Sequence, residues 1–133
     1  MVSRITDTVW LSGRARSLDY AHLKALGIRQ ILTVDTLTPH RDTGEFALRQ
    51  LYLIDRGDED LDTPKLAAAL QFVDAAPTLV HCEAGVSRGP AVVIAYLIRH
   101  VGMTFEQAHA VVRAARPQVD VNFGFLIQLK QFS

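Results

Sequence analysis

The sequence predicts an α/β domain in which a central, mostly parallel sheet is flanked by helices. Three observations carry that expectation. Short apolar stretches at 8–11, 28–34 and 78–81 alternate with stretches of helical periodicity. The connections are short, and a strand–helix–strand run with short turns is a parallel crossover unit. The run 91–98 is apolar on every face, as expected of a helix buried within the domain. With 133 residues, 49% of them hydrophobic, the chain can bury one core, so residues 1–133 are read as a single domain.

Thr8-Val9-Trp10-Leu11 is the first expected strand, closed by Ser12-Gly13, with Trp10 as a core residue. Ser17 reads as the N-cap of a helix through Leu26; Leu18, Ala21, Ala25 and Leu26 share a face, and Gly27 stops it. A second strand runs from Ile28 to Val34. The polar stretch 35–45 is a solvated loop, or else it brings His40 or Arg41 to the rim of a pocket. Phe46 to Ile54 supplies another strand and leads into the acidic stretch Asp55-Arg56-Gly57-Asp58-Glu59-Asp60-Leu61-Asp62. Thr63-Pro64 caps an amphipathic helix carrying Leu66, Ala69, Leu70 and Val73. Pro77 separates that helix from the central strand. Beyond the apolar helix, which Gly102 ends, Thr104 and Gln107 fit a capping box. The next helix shows Ala108, Val111, Val112 and Ala115 on one face and stops at Pro117. Asn122 caps a last helix bearing Phe125, Leu126, Leu129 and Phe132.

Composition narrows the function classes. Fourteen basic residues balance fourteen acidic ones, with no basic stripe, so nucleic acid is not an expected partner. One cysteine excludes an internal disulfide framework and fits a reducing compartment. No apolar run approaches the ~20 residues that span a bilayer, and Arg4 and Asp7 interrupt any signal-peptide pattern. The expectation is a soluble, cytoplasmic protein without a membrane partner. The five histidines are scattered without ligand spacing, so no metal is expected.

The chemistry concentrates in Thr78-Leu79-Val80-His81-Cys82-Glu83-Ala84-Gly85-Val86-Ser87-Arg88-Gly89-Pro90, a strand end, a tight loop and a first helical turn. A loop that opens a helix offers unpaired N–H groups and the positive end of the helix dipole, which together bind an anion. Those features also favour a thiolate at Cys82. Gly85 lets successive N–H groups turn inward as a nest, and Arg88 has a planar fork that holds two phosphate oxygens. His81 and Ser87 are candidates to order the loop by hydrogen bonding. Burial of Cys82 as a small hydrophobe explains neither Gly85, Arg88 nor the helix start.

His81-Cys82-x-Ala84-Gly85-x-Ser87-Arg88 resembles the signature of the cysteine-dependent protein phosphatases, in its dual-specificity form. Arg116-Pro117 and Asn122-x-Gly124-Phe125-x-x-Gln128-Leu129 resemble the end of the same catalytic domain, and the opening strand, glycine, helix and strand resemble its start. The resemblance implies a phosphotyrosine-phosphatase-like fold with the phosphate loop between strand and helix. It implies hydrolysis of phosphotyrosine, with phosphoserine or phosphothreonine, in a phosphorylated protein or peptide. Cys82 is then the nucleophile. Arg88 and the backbone of Glu83, Ala84, Gly85, Val86 and Ser87 hold the phosphate or another oxyanion, and no cofactor takes part. The leaving oxygen needs a proton from a carboxylic acid. The family carries that Asp at a strand end, with four residues between it and an Asp-Leu pair; Asp55 stands so before Asp60-Leu61, with Asp58 as the second candidate. One position departs from the family: Gly89 stands where a serine or threonine hydroxyl assists hydrolysis of the phospho-enzyme. A phosphopeptide-binding pseudophosphatase with weak turnover therefore stays open, as does an RNA 5′-phosphatase. Glu83 and Ala84 occupy positions that are basic in phosphoinositide-directed relatives.

Overall fold

The last strand of the sheet is inserted at its middle. The computed structural model describes residues 2–13, 19–34 and 44–132. Within them, β1 (Ser3–Arg4), β2 (Val9–Ser12), β3 (Gln30–Val34), β4 (Ala47–Leu51) and β5 (Thr78–His81) form one sheet in the order β1-β2-β5-β3-β4. All neighbours are parallel except β1, which pairs antiparallel with β2 at one edge. The crossover from β2 to β3 thus leaves a gap of one strand, and β5 fills it. All four β5 residues are buried because strands cover both of its edges and helices both of its faces.

Side-chain alternation sorts the core into two layers. Trp10, Leu79 and Ile31, side by side in register, point with Leu23, Ile28 and Phe46 toward α1 (Tyr20–Ala25). Leu11, Val80 and Leu32 point the other way. They meet α2 (Pro64–Ala75), α3 (Arg88–Tyr96), α4 (Phe105–Ala115) and α5 (Phe123–Lys130). Trp10 is core, as expected, with the Arg4 guanidinium 5.9 Å from its ring centroid. Every residue of α3 from Gly89 to Tyr96 is buried, so the all-round apolar run is the central helix.

The capping expectations for 63, 104 and 122 agree with the structure. The side-chain oxygens of Thr63, Thr104 and Asn122 accept the N–H groups of Leu66, Gln107 and Phe125. Gln107 closes the capping box on the Thr104 N–H at 3.0 Å. Elsewhere the boundaries shift. Helix α1 is capped by Asp19, whose carboxylate accepts the His22 N–H at 3.2 Å; Ser17 and Leu18 lie outside the described residues. Strand β4 ends at Leu51, so Leu53 and Ile54 lie beyond the ladder. Helix α3 continues as a π-helical turn, Leu97–Val101, which Gly102 ends at φ 86°.

Candidate active site

Cys82 follows directly on β5, at the C-terminal ends of the parallel strands, where α/β sheets place their ligand sites. The residue is 2% exposed. Its Sγ accepts the Gly85 N–H at 3.2 Å, which folds the loop over the sulfur. Gly85 has φ 71°, a left-handed conformation that glycine adopts without strain. A Cβ there would meet the Gly13 nitrogen at 2.5 Å and Arg116 Nη2 at 2.6 Å. The glycine is therefore required twice, by its backbone and by its neighbours. His81, fully buried, holds the strand end: Nε2 is 2.9 Å from Thr33 Oγ1 and Nδ1 is 3.4 Å from the Cys82 carbonyl. A carbonyl only accepts, so in the neutral ring Nδ1 carries the proton and the Thr33 hydroxyl donates to Nε2.

Arg88 opens α3 and reaches across the loop, donating through Nη1 to the Leu53 carbonyl at 3.3 Å. That contact sets the guanidinium beside the segment that carries Asp55. Asp55 is exposed, and its Oδ1 accepts two hydrogen bonds of 2.8 Å, one from the Ser87 hydroxyl and one from Asn122 Nδ2. Ser87 Oγ in turn accepts the Asn122 N–H at 3.0 Å. The hydroxyl at the end of the loop thus serves as a hinge pin between Asp55 and α5 rather than as a cap on α3. Asp58 lies apart, paired with Arg56 at 2.8 Å on the surface.

The rest of the acidic loop hangs on α5. Gln128 donates to the Glu59 carbonyl and accepts the Leu61 N–H, both at 2.8 Å. Any side chain at Gly124 would run into the backbone of Gly57. The Asn122, Gly124 and Gln128 pattern therefore has a physical reason: these three positions hold the segment bearing Asp55. The sequence reading placed Arg116 and Asn122 in the pattern that resembles the family's C-terminal end, but gave Asn122 no role beyond a cap and Arg116 none. Arg116, 5% exposed, donates from Nε to the Gly85 carbonyl at 2.8 Å and from Nη2 to the Ala84 carbonyl at 3.5 Å. Burial pushes its guanidinium below the ordinary arginine value, and the negative charge of a Cys82 thiolate pulls it back up. The Arg116-Pro117 pair, 28 residues past Arg88, was the available signal. Its register with the loop carbonyls could not be read from spacing.

A cavity of about 380 Å³ lies against the acidic loop, lined by Leu51 to Leu53, Glu59 to Leu61 and Thr63 to Leu66. It does not contain Cys82. The Ser87 hydroxyl instead links Asp55 to the loop that begins at Cys82. Among the described residues, no three His, Cys, Asp or Glu side chains gather as a metal would need, and no helix is long and apolar enough to cross a membrane. His40 and Arg41 lie outside the described residues.

The chain is similar to known proteins over nearly its whole length. The family model for the dual specificity phosphatase catalytic domain matches residues 9–133. Dual specificity protein phosphatase 12 of Mus musculus is 36% identical over 132 residues, covering 93% of this chain and 39% of that protein. Dual specificity protein phosphatase 1B of Arabidopsis thaliana is 32% identical over 136 residues, covering 98% of this chain and 81% of that protein. The chain therefore spans about two fifths of the length of the first relative and about four fifths of the second. The crystal structure of the human tyrosine phosphatase-like serine/threonine/tyrosine-interacting protein superposes with a TM-score of 0.87 at 25% identity, covering 98% of this chain and 94% of that one.

Proposed function

The chain belongs to the dual specificity phosphatase catalytic-domain family, and from that premise we propose that it is a cysteine-dependent phosphatase. It hydrolyses phosphotyrosine, and phosphoserine or phosphothreonine, in proteins or peptides through a cysteinyl-phosphate. The observation that carries the reading is the 2.8 Å bond between Asp55 and Ser87: it joins a carboxyl group to the loop that begins at Cys82. Residues 1–133 act as one catalytic unit. A nucleophilic thiol works only where it stays reduced, which supports a cytoplasmic setting.

The Cys82 thiolate attacks phosphorus in line with the departing oxygen. A sulfur–phosphorus bond forms as the phosphorus–oxygen bond breaks. The N–H groups of residues 83 to 88 and the Arg88 fork hold the three equatorial oxygens, where charge is concentrated in the transition state. Asp55 in its acid form gives its proton to the leaving alkoxide or phenoxide. As the resulting carboxylate it takes a proton from water, which attacks phosphorus and releases phosphate and the thiolate.

One observation favours a second reading, a phosphopeptide binder with slow turnover. At Gly89 a Cβ would sit 3.3 Å from Cys82 Sγ, so a hydroxyl carried there would reach the leaving sulfur, and glycine supplies none. Phosphate release from phosphotyrosine and phosphothreonine peptides separates the readings. An enzyme turns over repeatedly, and Cys82→Ser lowers the rate by about 10⁴-fold or more while circular dichroism shows an unchanged fold. Dephosphorylated peptide formed in a single burst, with the phosphoryl group retained on Cys82 and no phosphate released, supports the binder, and unaltered activity in Cys82→Ser would rule out the mechanism.

A further inference from the structure

We propose that Arg116 is a positioning residue that holds the phosphate loop in its anion-binding form, by fixing two successive peptide planes from outside. The inference rests on the phosphatase reading of the loop. A peptide unit is planar and trans, so its C=O and the N–H of the next residue point in opposite directions. A donor that captures the carbonyl on one side therefore aims the N–H toward the other. Arg116 Nη2 takes the Ala84 carbonyl and Nε takes the Gly85 carbonyl. The Asp120 N–H takes the next carbonyl, that of Val86, at 2.7 Å. The segment joining α4 to α5 thus turns three consecutive carbonyls outward. Their partners are the N–H groups of Gly85, Val86 and Ser87, the middle of the proposed phosphate nest. The first of these is seen to point inward, since the Gly85 N–H reaches Cys82 Sγ at 3.2 Å.

The choice of arginine follows from the geometry. Two adjacent carbonyls need two donors at a fixed separation, which a planar guanidinium has and an ammonium lacks. The remaining Nη1 donates to Ser3 Oγ at 3.3 Å, so β1 helps to aim the fork. Arg116 Nη2 also occupies the space that a Cβ at Gly85 would need. The glycine's left-handed turn and the arginine are thus packed as one unit. The cation lies behind the nest, where it adds to the field that favours an anion without touching the substrate.

The test measures tungstate binding calorimetrically to the full chain carrying Cys82→Ser, alone and with Arg116→Met or Arg116→Lys, with thermal unfolding to establish that each variant is folded. Arg116→Met should weaken tungstate at least twentyfold. Arg116→Lys, which keeps the charge but cannot bridge both carbonyls, should recover part of that loss and remain at least fivefold weaker. A loss without any recovery by lysine would indicate that packing alone matters and would overturn the role. So would binding within twofold of the Cys82→Ser parent in either folded variant. If only the methionine variant fails to fold, the lysine variant decides; if neither folds, Arg116 is a structural residue and the proposal fails. Absence of tungstate binding to the Cys82→Ser parent itself would instead reject the phosphatase reading, and this inference with it.

Discussion

The two walls of the site are built in opposite ways. The loop from Cys82 to Arg88 is contiguous in sequence, and its sulfur is buried; backbone and arginine donors from behind hold it, and it leads straight into a fully buried helix. The segment from Asp55 to Leu61 is largely exposed and belongs to no helix or strand. Three side-chain bonds from Asn122 and Gln128, and one from Ser87, hold it in place. The contrast fits the chemistry proposed for each wall. A nest that stabilises charge must be rigid before the substrate arrives, because reorganising dipoles during reaction costs rate. An acid that exchanges its proton with water must stay wet, so it can be tethered but not enclosed.

Four substitutions probe that contrast. Asp55→Ala should lower the rate by about 10²- to 10⁴-fold on alkyl phosphates, whose leaving groups are poor, and far less on activated aryl phosphates. Asp58→Ala should change neither; if it reproduces the Asp55 pattern instead, the exposed wall has been assigned to the wrong carboxylate. Asn122→Ala removes one tether of Asp55 and the cap of α5 together. We expect about a tenfold lower rate on alkyl phosphates and a loss of about 1 kcal/mol in chemical denaturation. Because the tether acts through Asp55, the kinetic loss should vanish in an Asp55→Ala background; a persisting loss would show that the rigid wall depends on Asn122 too. A smaller kinetic effect, of the opposite sign, is expected at Gly89. Gly89→Ser should raise steady-state turnover several-fold if cleavage of the cysteinyl-phosphate is limiting, and the burst should shrink. The new Cβ would lie 3.1 Å from Leu11 Cδ1 in the core, so stability should fall by about 1 kcal/mol. An unchanged burst would mean that another group already supports the departing sulfur.

The rigid wall was largely legible in the sequence. Its residues adjoin one another, and each carries a local physical signal: a glycine for a left-handed turn, a proline in a first helical turn, a run of apolar residues for burial. The tethered wall was legible only as a pair of candidates. Asp55 and Asp58 are both acids in an acidic loop, and they differ in what comes near them in space. Ser87 and Asn122, 32 and 67 residues away, meet Asp55; Arg56, two residues away, meets Asp58. Helix α1 shows the local limit of such reasoning. Ser17 and Asp19 both have cap chemistry, and the described helix begins at Tyr20 behind Asp19.

By itself the sequence determined the alternation of strands and helices, the capped helix starts, the buried central helix and the run from His81 to Arg88, because each depends on neighbours within a few residues. Tertiary structure alone decided that β5 enters between β2 and β3, that Asp55 rather than Asp58 adjoins the loop, and that Arg116 grips its carbonyls. Those outcomes depend on which distant groups share a hydrogen bond, and spacing along a chain does not encode direction in space.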